Sequence, residues 1–104
     1  MTDLFLLLCK EHGLPLPEKE YRFHPPRRWR IDYCFVEARL AVEIEGGVWK
    51  FGRHNFPSGY EKDREKYNQP TMDGYWLLRF TPQEVKKGYA VETVKKWFEI
   101  NDRP

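Results

Sequence analysis

Residues 29–45 read WRIDYCFVEARLAVEIE, and large apolar residues alternate with small or polar ones in both halves of this segment. A period of two is the spacing of side chains that share one face of a β-strand. The segment therefore predicts two half-buried strands, the first ending at Phe35 and the second running over 40–45. The break between them, around Glu37-Ala38, is short, which favours a β-hairpin.

The register of this predicted hairpin follows from its two apolar sets. A loop with an even number of residues places the large apolar residues of both strands on one face: Ile31, Tyr33, Phe35, Val42 and Ile44. An odd loop would turn one of these sets away from the buried face, which the side-chain period of two forbids. In the favoured register Asp32 lies directly opposite Glu43, and Cys34 lies opposite Ala41.

The same register brings three acidic side chains together: Asp32, Glu43 and Glu45. Opposed carboxylates repel each other, so this cluster costs stability by itself. A divalent cation would offset the repulsion, since Mg²⁺ binds one or two carboxylates together with waters and phosphate oxygens. Such an ion activates water and neutralises charge on a phosphodiester, which is nuclease chemistry. The alternative is that the acids are solvated or paired with basic neighbours, as is common on an exposed sheet face.

Basic residues flank the acidic strands on both sides. Residues 21–30 contain four Arg and one His without any acid, in a chain whose net charge is only +2. This local excess predicts contacts to nucleic-acid phosphates. The predicted phosphate-binding residues are Arg22, Arg27, Arg28, Arg30, Lys50, Arg53 and His54. The neighbouring Trp29, Trp49 and Phe51 either stack on bases or belong to the core.

Three further side chains are candidates for catalysis at the phosphate. Lys62 and Lys66 lie one helical turn apart on a predicted helix, and either can stabilise charge or orient the attacking water. The alternative for each lysine is a place on a solvated helix face. His54 either donates a proton to the leaving oxygen or contacts a phosphate.

Upstream of the hairpin, the sequence predicts a helix and a further strand. Thr2 or Asp3 can cap a short apolar helix that ends near Gly13. Residues 21–23 alternate in the manner of a brief strand, which Pro25-Pro26 must stop.

Downstream, the signals are capping boxes and a second apolar run. Ser58 and Glu61 form a capping box that begins a charged helix. Pro70 is expected to kink that helix or end it early, because proline lacks the backbone N–H. Residues 75–80, YWLLRF, predict a strand buried on both faces. Residues 81–84 form another capping box, and a last helix begins at about Tyr89.

The predicted order of elements is therefore αβββαβα. The hairpin implies antiparallel pairing, whereas a strand, a crossover helix and a second strand imply parallel pairing. We expect an α/β fold with a mixed four-stranded sheet and flanking helices.

Length and composition set the class of protein. The 104 residues, 40% of them hydrophobic, predict one domain over 1–104 that buries a core without disulfides. Cys9 and Cys34 are then reduced thiols, which favours the cytoplasm. The apolar run over 4–8 is too short to cross a membrane, so we expect no membrane partner.

Five short motifs, taken in order, resemble the PD-(D/E)XK nuclease superfamily, and in particular its small stand-alone branch related to very-short-patch-repair endonucleases of bacteria and phages. The motifs are Arg30-Ile-Asp32, Ala41-Val-Glu43-Ile-Glu45-Gly-Gly47, Gly52-Arg53-His54, Glu65-Lys66-Tyr67-Asn68 and Leu78-Arg79-Phe80-Thr81-Pro82. The resemblance runs from about Tyr21 to Val85. It implies a restriction-endonuclease-like core of order αβββαβ, a divalent metal ion and hydrolysis of DNA.

The resemblance also implies roles for individual residues. Asp32 matches the first acid of the motif and Glu43 the second. The lysine expected two residues after the second acid is Glu45 here, and members of this branch often carry an acid at that position. Lys62 and Lys66 are then the candidates for a displaced lysine.

The expected function is a Mg²⁺- or Mn²⁺-dependent DNA endonuclease that selects a DNA structure such as a junction, flap, nick or mismatch. It acts as a single chain or a homodimer in a bacterial or phage-infected cell. Asp32, Glu43 and Glu45 are the expected metal ligands, and Lys62, Lys66 and His54 complete the expected catalytic set. Two alternatives stay open: a nucleic-acid-binding module that does not cleave, and a nuclease subunit completed by a partner protein.

Overall fold

The computed structural model describes the backbone at residues 3–45, 49–50, 53–54 and 60–101, and the side chains at 3–45, 65–66 and 68–101. Its helices are α1 (Leu4–Glu11), α2 (Tyr60–Met72), α3 (Pro82–Lys86) and α4 (Tyr89–Ile100). Its strands are β1 (Glu18–Tyr21), β2 (Ile31–Phe35), β3 (Leu40–Ile44), β4 (Trp49–Lys50), β5 (Arg53–His54) and β6 (Trp76–Phe80).

Four strands form one mixed sheet in the order β1-β2-β3-β6. The first two neighbouring pairs are antiparallel, and β3 pairs with β6 in parallel, so the predicted mixed sheet is confirmed. The hairpin register is confirmed as well, since Cys34 lies opposite Ala41 and Tyr33 lies opposite Val42. This register fixes which side chains of β2 and β3 can meet on each face of the sheet.

One face of the sheet carries the larger apolar cluster. Leu40 and Val42 of β3 are fully buried there, together with Phe35 of β2. Side chains from α1, α3 and α4 cover this face: Phe5, Cys9, Val85, Ala90 and Val94. The helices lie here because each presents a stripe of apolar residues that is stable only against another apolar surface.

A smaller cluster lies on the opposite face, beneath the segment that joins β1 to β2. It contains Cys34 and Ala41 of the sheet together with Phe23 and Tyr75, and Trp29 packs against it. Ile31 also belongs to this cluster, although the alternation of the sequence places it with Tyr33. Ile31 is the first residue of β2, so the side chains of the preceding segment, and not the pleat alone, determine what covers it.

The sequence signals for helix ends agree with the structure at both ends of the chain. The side chain of Asp3 accepts a hydrogen bond from the backbone N–H of Leu6 (3.1 Å) and caps α1. Thr81 and Glu84 form the reciprocal capping box that begins α3. Gly74 has a φ of +87°, a conformation that suits glycine, and it follows the end of α2.

Four expectations about the elements need correction or stand outside the described residues. The strand predicted over 75–80 was expected to be buried on both faces, but β6 lies at the edge of the sheet and both Trp76 and Arg79 are exposed. The first strand covers 18–21 and not 21–23, because an exposed edge strand need not show an apolar alternation. The helix α2 passes through Pro70 to Met72. Pro70 removes only one backbone hydrogen bond near the helix end, and its ring is fully buried. The capping box at Ser58 lies outside the described residues.

Two general findings complete the fold. In the described part of the chain, no helix combines the length and apolar character needed to cross a membrane. Cys9 and Cys34 are both buried free thiols.

Candidate metal and nucleic-acid site

Asp32 and Glu43 meet across the β2–β3 hairpin, as the register predicts. The backbone N–H of Asp32 donates to Oε2 of Glu43 (3.1 Å), and the backbone N–H of Ile44 donates to Oδ2 of Asp32 (2.8 Å). Each carboxylate is thus tied to the backbone of the opposite strand. The two acids form a fixed pair at the end of the sheet where β2 begins and β3 ends.

Burial makes this pair electrostatically unusual. Glu43 is only 3% exposed. Its burial, followed by the hydrogen bond with Asp32 and the charge of that residue, raises the pKa of Glu43 to about 7. The backbone N–H of Asp32 and the charge of Lys66 act in the opposite direction. Two carboxyl groups held this close cannot both ionise easily unless a cation joins them.

Lys66 supplies one positive charge beside the pair. It projects from α2 with its Nζ 3.9 Å from Oε1 of Glu43, and its side chain is 26% exposed. The sequence left Lys62 and Lys66 as equal candidates, and the structure brings Lys66 to the acids. The side chain of Lys62 lies outside the described residues.

Glu45 lies at the same end of the sheet but is engaged by a different partner. A guanidinium N–H of Arg79 donates to Oε1 of Glu45, and Arg79 lies beside Glu43 in the parallel register of β3 and β6. The backbone N–H of Glu45 also donates to the carbonyl oxygen of Phe80 (2.7 Å). Among the described residues, no three His, Cys, Asp or Glu side chains come together as a metal-binding group.

The donor set that remains nevertheless fits a hard divalent cation. Asp32 and Glu43 offer carboxylate oxygens only, which Mg²⁺ and Mn²⁺ prefer. Mg²⁺ is commonly held by one or two carboxylates, with waters and substrate phosphate oxygens completing its coordination. The burial of Glu43 next to Asp32, and the raised pKa of Glu43, agree with a place for such an ion. Glu45 would have to leave Arg79 to become a third ligand.

The basic segment before β2 exposes most of its charges. Arg22, Arg27, Arg28 and Arg30 are all exposed. The guanidinium of Arg27 lies 3.9 Å from the ring centroid of Trp29, which is half-buried and stacks with Phe23. Trp29 therefore serves the smaller core cluster and also supports an exposed arginine.

For the second group of predicted phosphate contacts, Lys50, Arg53 and His54, the structure describes only the backbone. The antiparallel pair of β4 and β5 places Lys50 opposite Arg53 and Trp49 opposite His54. The side chains of these residues lie outside the described set, so their roles stay predictions.

One contact was missed by the sequence reasoning. Nδ1 of His24 is hydrogen-bonded to Oδ2 of Asp73 (2.7 Å), and Nε2 of Gln69 donates to Oδ1 of Asp73 (2.9 Å). These bonds, with the one from Gln69 the stronger cause, lower the pKa of Asp73. The bond fixes the basic segment to the end of α2. No local signal could reveal it, because the two residues are far apart in sequence and meet only through the sheet topology.

Comparison with known proteins gives two relatives. The chain is 29% identical over 83 residues to the uncharacterized proteins MT2308 and Rv2248 from two strains of Mycobacterium tuberculosis. The match covers 78% of this chain but only 29% of each relative, so the chain spans less than a third of the length of the curated relatives it matches. No family model matches the chain. No solved structure matches it either.

Proposed function

We propose that this chain is a Mg²⁺- or Mn²⁺-dependent DNA endonuclease with a restriction-endonuclease-like core of the PD-(D/E)XK type. The observation that carries the proposal is the pair of Asp32 and Glu43 across β2 and β3, with Lys66 of α2 directed at the same point. Burying Glu43 beside a second carboxylate costs stability, and a metal-binding role accounts for that cost.

Asp32 and Glu43 would hold the ion, which when bound neutralises charge on a phosphodiester and activates water. Their hydrogen bonds to the backbone of the opposite strand keep both carboxylates in fixed positions. Lys66 places a positive charge next to Glu43, where it can stabilise the charge that develops on the phosphate. Arg79 holds Glu45 at the edge of the site.

The proposed DNA contacts lie on the segment that precedes β2 and on the segment that follows β3. Arg22, Arg27, Arg28 and Arg30 present exposed cations on the segment that leads into β2, directly before Asp32. Lys50, Arg53 and His54 follow β3 in the sequence and are proposed to contact phosphates as well. We propose that the site selects a DNA structure such as a junction, flap, nick or mismatch, and that it acts as one chain or a homodimer.

Cleavage assays on matched branched and linear DNAs test this function. The wild-type chain is expected to cut with Mg²⁺ or Mn²⁺, to prefer branched DNA, and to be inactive in EDTA. Asp32→Asn and Glu43→Gln are expected to abolish cutting, whereas Glu11→Gln, which removes an exposed acid from α1, should leave it unchanged.

Two outcomes would contradict the proposal. Metal-dependent cutting that persists at the wild-type rate in both acid variants would place the active site elsewhere. A purified chain that binds DNA with strong salt dependence, yet neither cuts it nor responds to Mn²⁺, would be a binding module on the same fold.

A further inference from the structure

An aromatic groove lies at the end of the sheet away from the acid pair. It encloses about 780 Å³, and its aromatic lining comes from Phe35 of β2, Trp76 of β6, and Trp97 and Phe98 of α4. The β2–β3 turn forms one side of it. Asp32 stands near the start of β2 and Glu43 near the end of β3, so the groove and the acids occupy opposite ends of the same two strands.

The aromatic side chains of this groove pack against one another, and three of them, Trp76, Trp97 and Phe98, are still partly open to water, whereas Phe35 is buried. Phe98 makes edge contacts with Trp97 (5.1 Å between ring centroids) and Phe35 (5.2 Å). Trp76 is nevertheless 60% exposed, and Leu16 at the rim is 64% exposed. A preorganised apolar surface that remains solvent-accessible is typical of an interaction site.

The charge of the aromatic groove is the opposite of that expected for a DNA-binding surface. Among its described lining residues are two acids, Glu18 and Glu37, and no Lys, Arg or His. Within the part of the chain that the structure describes, neither glutamate has an ion-pair partner. The whole chain has slightly more basic than acidic residues, 18 Lys and Arg against 16 Asp and Glu. The excess of acids in the groove therefore does not follow from the overall composition. The negative charge of these two glutamates repels phosphates and attracts basic side chains.

We propose that the aromatic groove docks a short segment of a partner protein in which a large apolar side chain lies next to a Lys or Arg. The apolar side chain would fill the space between Trp76 and Phe98, and the basic side chain would pair with Glu18 or Glu37. A polypeptide is the occupant that the lining favours, because one short segment can offer an apolar side chain to the aromatic rings and a basic side chain to the two acids. This proposal does not depend on the nuclease assignment.

Selection from a displayed library of short random peptides, followed by fluorescence anisotropy of the selected peptides, tests the docking proposal on the full chain. The selected peptides should combine an aromatic or large aliphatic residue with an adjacent Lys or Arg. Trp76→Ala should weaken binding at least about tenfold, as expected for an interface anchor. Joint replacement of Glu18→Gln and Glu37→Gln should weaken it several-fold and remove most of its salt dependence.

Matched variants make the result specific to the groove. Met72→Ala removes another apolar side chain, 74% exposed and outside the groove, and should not change binding. Glu11→Gln with Glu20→Gln removes two exposed charges elsewhere and should also have no effect. Selected peptides without basic residues, or affinities that Trp76→Ala leaves intact, would overturn the proposal. Self-association of the wild-type chain that Trp76→Ala abolishes would also overturn it, by showing that a second copy fills the groove.

Discussion

Val42 and Glu43 are neighbours on β3 and are almost equally buried, at 0% and 3% exposure, yet they face opposite sides of the sheet. Val42 packs among apolar side chains from three helices, an arrangement that lowers the free energy of the folded state. Glu43 lies against another acid, an arrangement that raises it. We call these the apolar face and the acidic face of the hairpin. One strand thus supports the fold with one face and, in our account, the chemistry with the other.

The largest expected effect is on the acidic face. Asp32→Asn and Glu43→Gln should each reduce the cleavage rate by at least about a thousandfold, or ~4 kcal/mol of transition-state stabilisation. Because the two residues hold one ion in the proposed site, the double variant should lose little more than either single variant. Single-turnover cleavage with Mn²⁺ measures all three. Losses that multiply in the double variant would mean that the two acids act independently.

The apolar face should respond in stability and not in chemistry. Leu40→Ala removes a fully buried side chain from this face and should destabilise the fold by about 3 kcal/mol, through lost burial and a cavity. Urea unfolding should show a lower midpoint with an unchanged slope. The variant that remains folded should cleave at the wild-type rate. A large loss of activity in folded Leu40→Ala would show that the two faces are not separable.

The pH dependence of stability should distinguish the faces without any substrate. Because the pKa of Glu43 is raised from 4.5 to about 7, the folded state holds this proton more tightly than the unfolded state. The resulting stability is fully present below pH 4.5 and is lost as the pH rises through about 7. In EDTA, the metal-free chain should lose up to about 3 kcal/mol over this window relative to Glu43→Gln. Parallel pH profiles for the two proteins would contradict the raised pKa.

The smallest expected effect concerns the charge next to the acids. Lys66→Met should slow cleavage about tenfold to a hundredfold, because in the proposed mechanism it removes one charge that stabilises the phosphate. Mn²⁺ binding should persist, and Lys66→Arg should restore part of the rate. Lys87→Met, which removes an exposed lysine after α3, serves as the control and should have no effect. Equal rates for the Lys66 and Lys87 variants would remove Lys66 from the mechanism.

The sequence predicted those strands whose apolar side chains alternate along the chain. The alternation over 29–45 predicted the hairpin and its register, and the register alone brought Asp32 opposite Glu43. The edge strand β1 was misplaced because its residues are mostly exposed and carry no apolar alternation. The passage of α2 through Pro70 could not be predicted, because burial of the ring depends on tertiary packing.

In the candidate site, too, the sequence predicted what strand periodicity determines and missed what tertiary packing determines. Lys62 and Lys66 share one helix face, so their spacing could not decide between them, and the docking of α2 was needed to bring Lys66 to Glu43. Glu45 was expected among the metal ligands because it shares a strand face with Glu43. Its contact with Arg79 depends on the parallel pairing of β3 and β6, which joins residues far apart in the chain.

Calorimetric titration of the metal-free chain with Mn²⁺ tests the central claim most directly, since it requires neither the right DNA nor a partner. The account predicts that wild-type chain binds Mn²⁺ through Asp32 and Glu43, that Glu43→Gln abolishes binding, and that Glu11→Gln and Lys66→Met retain it. No binding by the folded wild-type chain, or unchanged binding by Glu43→Gln, would contradict a metal centre on the acidic face.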